Sequence, residues 1–152
     1  MINKPVVLLL LLLMLPAASW SQTVKLIDAT EQDWSGGIAG RSGTNYVFDI
    51  ELKHCKKDVQ PDTIWVGQSP TALSEKNTTQ THTQSGLLLQ IRVTIQGKNS
   101  YGHFPEPTEP TPVVHAPCQY KGIALLSYHQ DGKQYYYAIP RITKKYPHQS
   151  YP

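Results

Sequence analysis

The sequence predicts an all-β protein, an antiparallel β-sandwich (Ig-like or similar) of about six to seven strands that follows a signal peptide. Two long segments alternate apolar and polar residues, and a third region has the composition of a β-hairpin. Alternation with a period of two is typical of strands with one buried and one solvated face, as found in antiparallel sheets. An open barrel is the alternative arrangement of the same strands.

The first 21 residues have the layout of a secretory signal peptide. Lys4 precedes an apolar run over residues 6–15, and the small residues Ala17, Ala18 and Ser19 follow it. The apolar run is about half of the roughly 20 residues that a bilayer span requires. We therefore expect the protein to be exported to the periplasm, the cell surface or the medium, and its mature form to have no membrane span.

The remainder has the size and charge of one ordinary domain. About 130 residues are enough to bury a core, and we place the domain at residues 22–143 with a loose tail at residues 144–152. The whole chain has 14 Lys and Arg against 11 Asp and Glu. These charges are interspersed, and without a run of like charges the sequence gives no basis for binding nucleic acid.

The long strands are predicted at residues 44–53 and 87–96. Their apolar faces are Tyr46, Phe48, Ile50 and Leu52 in the first, and Leu87, Leu89, Ile91, Val93 and Ile95 in the second. Shorter strands are predicted at residues 23–27 and 63–66. Three intervening stretches are rich in strand-breaking or polar residues, and we interpret them as connections: residues 33–43, 69–86 and the proline-rich stretch 97–117.

The last two strands are predicted at residues 120–129 and 134–139, on either side of Asp131-Gly132. This dipeptide favours a two-residue type I′ hairpin turn, which fixes the pairing of the strands. The expected cross-strand pairs are Tyr128 with Tyr135, Ser127 with Tyr136, Leu126 with Tyr137, Leu125 with Ala138, and Ala124 with Ile139.

Cys55 and Cys118 are the only cysteines, and in an exported protein such a pair predicts a disulfide. The alternative is a zinc or copper site formed by His54, Cys55, His115 and Cys118. Neighbouring residues of a strand point to opposite faces, which disfavours joint use of His54 and Cys55. We therefore expect no metal or other cofactor.

The segment from Trp34 to Gly43 is the most unusual in composition. A phosphate-binding loop needs a helix after its glycines, and here a strand follows, so we interpret the segment as a turned loop that offers a contact surface. Exposed tyrosines of the final hairpin could extend such a surface. The candidate binding residues are Trp34, Gly37, Gly40, Arg41, Gly43 and Tyr136.

Catalytic motifs are missing from the sequence. It has neither a G-x-S-x-G nucleophile turn nor an H-E-x-x-H metal motif. We expect a non-catalytic binding or structural module of the cell envelope or extracellular space, whose partner is a glycan or a cell-surface protein. The alternatives are a metal-binding or redox protein and a small hydrolase of unfamiliar type, which would need a pocket holding a histidine with a carboxylate partner.

Overall fold

The computed structural model describes residues 23–36, 41–55, 57–97, 115–145 and 149–151, and every regular element in these ranges is a β-strand. The strands are β1 (Val24–Gly36), β2 (Arg41–Lys53), β3 (Gln60–Val66), β4 (Ser69–Ala72), β5 (Thr78–His82), β6 (Gly86–Gln96), β7 (Ala124–Gln130), β8 (Lys133–Ile139), β9 (Thr143–Lys144) and β10 (Gln149–Tyr151). The predicted signal peptide and most of the proline-rich stretch lie outside the described residues.

The strands form two sheets. The first sheet has the order β10–β1–β2–β6–β5, with β9 also paired to β1, and the second sheet has the order β4–β3–β7–β8. All pairs are antiparallel except those of β9 and β10, which run parallel to β1. Buried side chains of both sheets form one apolar cluster, which is consistent with the predicted β-sandwich.

The two long predicted strands lie side by side at the centre of the first sheet. Their apolar faces meet in the pairs Phe48 with Ile91, Ile50 with Leu89, and Leu52 with Leu87. All six side chains are at most 1% exposed. The alternating pattern therefore identified the core-facing side of both strands correctly.

The predicted hairpin is confirmed. β7 and β8 pair in the expected register, from Ala124 opposite Ile139 to Tyr128 opposite Tyr135. The turn residues Asp131 and Gly132 have φ angles of 49° and 75°. Two successive positive φ values define the type I′ turn.

Four strands, β4, β5, β9 and β10, have no counterpart among the predicted strands. The stretch at residues 69–86, expected to be a connection, contains β4 and β5, which form the edges of their sheets. Their residues are mostly Thr, Ser and Gln, and short polar strands at an edge lack the apolar alternation that predicts a strand.

The expectation of a loose tail from Lys144 onward is also corrected. β9 and β10 both pair with β1. Lys144 forms an ion pair with Asp33 at 2.6 Å, and the Lys145 N–H donates to the Glu31 carbonyl oxygen at 2.8 Å. Backbone pairing and charge hold this segment, and neither requires the buried apolar side chains that the segment lacks.

Most of the segment predicted as a glycine-rich loop, residues 34–43, belongs to the paired strands β1 and β2. β1 extends to Gly36 and β2 begins at Arg41, so that only residues 37–40, which the structure does not describe, separate the paired strands. Trp34 lies opposite Gly43, and Gly36 lies opposite Arg41. A Cβ atom on Gly43 would lie 2.5 Å from the Ile95 carbonyl oxygen of β6 and 2.9 Å from the Trp34 ring. This glycine therefore makes room for the β6 backbone and an aromatic neighbour, and it does not form a turn.

Candidate functional site

The outer face of the first sheet carries polar side chains from three adjacent strands. Going along β1, β2 and β6, its cross-strand rows are Asp28–Asp49–Gln90, Thr30–Val47–Arg92, Gln32–Asn45–Thr94 and Trp34–Gly43–Gln96. We call these four rows the polar face. They alternate with the residues that fill the core, so this side of the sheet is directed away from the second sheet.

A shallow cavity of about 490 Å³ lies on the polar face, and Lys145 lines one side of it. The backbones beneath it belong to strands that are paired on both sides, because β1, β2 and β6 are interior strands of the first sheet. A ligand in this cavity therefore has no free strand edge to pair with and must be recognised through side chains.

Hydrogen bonds between the side chains hold the floor of the cavity in place. Nε and Nη2 of Arg92 donate to Oε1 of Gln90 at 3.2 and 2.9 Å, and Nε2 of Gln90 donates to Oδ1 of Asp49 at 2.8 Å. In the next row, Oγ1 of Thr94 donates to Oδ1 of Asn45 at 2.8 Å. These bonds orient the groups before a ligand arrives, which lowers the entropy lost on binding.

Two carboxylates face each other at one end of the polar face. A β-bulge at Ile27 shifts the register so that Asp28 lies directly opposite Asp49. Oδ1 of Asp28 accepts the Ala29 N–H at 2.9 Å. Like charges directly opposite one another destabilise a sheet, and bulges often redirect side chains near functional sites.

Trp34 and Arg41 lie at the other end of the same face. Trp34 is half-buried and packs over Gly43, while Arg41 lies two residues before Gly43 and so points to the same side of β2. The structure thus brings together three of the predicted contact residues. Gly37 and Gly40 lie outside the described residues.

Tyr136 belongs to a different surface. It pairs with Ser127 in the second sheet and is 43% exposed. The final hairpin and the polar face therefore belong to different sheets, and Tyr136 does not extend the surface around Trp34.

Comparison of this chain with known protein families, with curated proteins and with solved structures finds no match.

A second cavity adjoins a histidine–carboxylate pair of the kind that the hydrolase alternative requires. It is lined by His54, Cys55 and residues 82–86. Only the histidine of the pair lines the cavity: Nε2 of His82 lies 2.9 Å from Oδ1 of Asp58, which is outside the lining. Both side chains are more than half exposed. Within the described residues this is the only hydrogen bond of the His82 ring, so no nucleophile is paired with it.

The hydroxyl and thiol groups that line this cavity belong to Cys55, Thr83 and Ser85, and all three have other partners. Oγ1 of Thr83 donates to the Gly86 carbonyl oxygen at 3.1 Å. Oγ of Ser85 donates to Oε1 of Glu51. Sγ of Cys55 donates to the Lys57 carbonyl oxygen at 3.0 Å. Among the residues that the structure describes, the His82–Asp58 pair has no hydroxyl or thiol hydrogen-bonded to it.

The predicted disulfide is not formed in the structure. Cys55 is 2% exposed, and its Sγ lies 3.5 Å from Nε2 of Gln130 at the end of β7. Cys118 is exposed and shares a cavity with Gly67, whose N–H donates to the Ile123 carbonyl oxygen just before β7. The length of β7, about 20 Å for an extended strand of this size, separates the two cysteines.

The same separation corrects the four-ligand metal alternative. His54 adjoins Cys55, and His115 lies with Cys118 in the cavity at the other end of β7. One ion cannot bind side chains at both ends of the strand. Among the residues described by the structure, no three His, Cys, Asp or Glu side chains lie together as a metal site.

We expect the two thiols to react at very different rates. Cys118 should react with a thiol reagent in the native protein because it is exposed, whereas Cys55 should react only after unfolding. Titration with a chromogenic disulfide reagent, before and after addition of denaturant, should give one thiol and then two. A protein without free thiols, whose thiols appear only after reduction, would contradict the unbridged arrangement.

No stretch of the described residues forms a helix of the length and apolarity that crossing a membrane requires.

Proposed function

We propose that this chain is an exported, non-catalytic binding module and that the polar face is its ligand surface. The chief support is the chain of side-chain hydrogen bonds from Arg92 through Gln90 to Asp49 on the floor of an open cavity. Export rests on the predicted signal peptide, which would direct the module to the periplasm, the cell surface or the medium.

The composition of the polar face supports binding over a merely solvated surface. Asn45, Gln90 and Thr94 are amides and a hydroxyl, which both donate and accept hydrogen bonds. Thr94 is hydrogen-bonded to Asn45, and Gln90 is hydrogen-bonded to Asp49 and Arg92, as in binding sites whose contact residues are supported by neighbours.

The opposed carboxylates give a second reason. Asp28 and Asp49 repel each other across β1 and β2, and no described cation forms an ion pair with either. An arrangement that lowers stability without a structural benefit is typical of a functional site. Lys145, on the rim of the same cavity, is available to a ligand as a donor.

The proposal is tested with immobilised glycan and peptide arrays. We expect the full mature chain to bind members of one array, and the double variant Asn45→Ala/Arg92→Ala to lose about tenfold or more in affinity, which corresponds to one or two lost hydrogen bonds. Gln134→Ala, an exposed change on the second sheet, is the matched control and should bind normally.

Thermal unfolding of each variant separates binding from folding. Substitution of the exposed Arg92 and the half-buried Asn45, both outside the core, should lower the melting temperature only slightly. Two results would count against the polar face: no binding to either array, or binding that the double variant and the control retain equally.

A further inference from the structure

We infer that the ligand of the polar face is an uncharged, polyhydroxylated chain, that is, a neutral glycan, which lies along the strands between Trp34 and the Asp28–Asp49 pair. The inference rests on the proposed function and names the ligand class of the same surface. Three features of the polar face favour such a ligand: its balance of charge, its balance of hydrogen-bond donors and acceptors, and its length.

The charges in the cavity balance. Asp28 and Asp49 are acidic, and Arg92 and Lys145 are basic. An anionic ligand would be repelled by both carboxylates, and a cationic ligand would be repelled by the guanidinium and the ammonium group. An uncharged ligand makes charge-assisted hydrogen bonds with all four groups and is repelled by none of them.

The hydrogen-bonding groups of the polar face are best matched by a ligand that carries hydroxyl groups. The carboxylates only accept, the two cations only donate, and Asn45 does both. One oxygen of each carboxylate already has a protein donor, which leaves the other oxygen for the ligand. A hydroxyl group donates to a carboxylate and accepts from a guanidinium, so a chain of hydroxyls satisfies every group on the face.

Thr30 places a hydroxyl group in the cavity. It is 6% exposed and lines the cavity in the central row of the polar face, opposite Val47. A hydroxyl both donates and accepts hydrogen bonds. A ligand hydroxyl placed over this row would contact it.

Trp34 forms an apolar platform at the end of the polar face that lies opposite the Asp28–Asp49 pair. A Cβ on Gly43 would lie 2.9 Å from its indole ring, so the ring is supported from below by the backbone of β2. Aromatic rings offer a flat apolar surface with a polar edge, which suits the C–H face of a sugar ring. Hydrogen bonds from the remaining rows would then orient the chain.

The length of the face favours a chain over a monosaccharide. Trp34 lies six positions after Asp28 in β1, which is about 20 Å in an extended strand. A single sugar ring could reach only one end of this distance. An oligosaccharide of several units would contact the aromatic platform and the carboxylate pair together.

The experiment is isothermal titration of the mature chain with linear neutral hexasaccharides of glucose, mannose and xylose, and with an acidic hexasaccharide of galacturonic acid. We expect at least one neutral hexasaccharide to bind, and its trisaccharide to bind about tenfold or more weakly because it cannot contact both ends. Asp49→Asn should weaken binding by a similar factor while its melting temperature stays the same or rises, since the like-charge pair is relieved.

Thr30 provides a matched pair of variants. Thr30→Val removes the hydroxyl at nearly constant volume and should weaken binding, whereas Thr30→Ser keeps the hydroxyl and should bind like the native chain. A merely structural role of Thr30 would change the melting temperature and leave affinity unaltered.

The outcomes distinguish this inference from the proposed function. Binding of the acidic hexasaccharide alone, or of peptides alone, at a surface sensitive to Asn45→Ala/Arg92→Ala overturns the neutral-glycan inference and leaves the binding module intact. Failure of all three neutral hexasaccharides to bind overturns the inference as well. If the mature chain binds no member of either array and none of the hexasaccharides, both the binding module and the neutral-glycan inference are overturned.

Discussion

The Phe48→Ala variant is expected to lose about 3–5 kcal/mol of unfolding free energy, the range for deleting a fully buried phenylalanine. Phe48 is 0% exposed and lies between Ala29 and Ile91 at the centre of the first sheet. Its ring stacks on that of Tyr46, with centroids 6.2 Å apart. Denaturant unfolding followed by circular dichroism measures the loss.

Two further variants calibrate this result. Phe48→Leu keeps most of the apolar volume and should lose no more than about 1.5 kcal/mol. Tyr136→Ala removes an aromatic side chain of similar size from an exposed position and should change stability much less than Phe48→Ala. Equal losses for Phe48→Ala and Tyr136→Ala would show that the core does not lie between the two sheets.

The second large effect is a loss of stability at alkaline pH. Burial, reinforced by the nearby Tyr135 and Cys55, raises the pKa of Tyr128 to about 12 from its usual value of about 10. The folded state therefore holds this proton more tightly than the unfolded state. The stabilisation is fully present below about pH 10 and is lost as the pH rises through 12, an effect of about 2–3 kcal/mol.

Denaturant unfolding between about pH 9 and 12 measures this loss. Tyr128→Phe removes the titrating hydroxyl and should flatten the decline. Part of the slope should remain, because burial also raises the pKa of Tyr46 and that of Tyr120. Tyr136→Phe, an exposed change, is the control and should behave like the native chain. Identical declines for Tyr128→Phe and the native chain would contradict this assignment.

Local patterns in the sequence predicted the central strands and their register. Alternation placed Phe48 and Leu89 in the core, and Asp131-Gly132 fixed every cross-strand pair of the final hairpin. These features depend on a few neighbouring residues. β4, β5 and the strands of the tail depend on distant partners, because their polar residues form strands only where an existing sheet edge accepts them.

The candidate site was harder to predict because it depends on strand order. The sequence showed that Asn45, Asp49, Gln90 and Arg92 lie on the solvated sides of their strands. It did not show that β2 and β6 are neighbours, since three other strands separate them along the chain. Only that pairing brings Gln90 to Asp49.

The predictions for the glycines and cysteines differ from the structure for another reason. A glycine-rich segment favours a turn, whereas Gly43 accommodates the β6 backbone and the Trp34 ring within a strand. An oxidising compartment favours a disulfide but carries no information about the distance between two cysteines. The position of Cys55 and Cys118 at opposite ends of β7 is a property of the fold and has no local signal.

Chemical-shift mapping on the isotopically labelled mature chain examines the polar face directly. With the best-binding neutral hexasaccharide added, we expect the largest amide and side-chain shifts at Asn45, Gln90 and Arg92, together with a shift of the Trp34 indole signal. Shifts confined to the β7–β8 hairpin or to the cavity beside His82, with the polar face unperturbed, would contradict the assignment of this sheet as the binding surface.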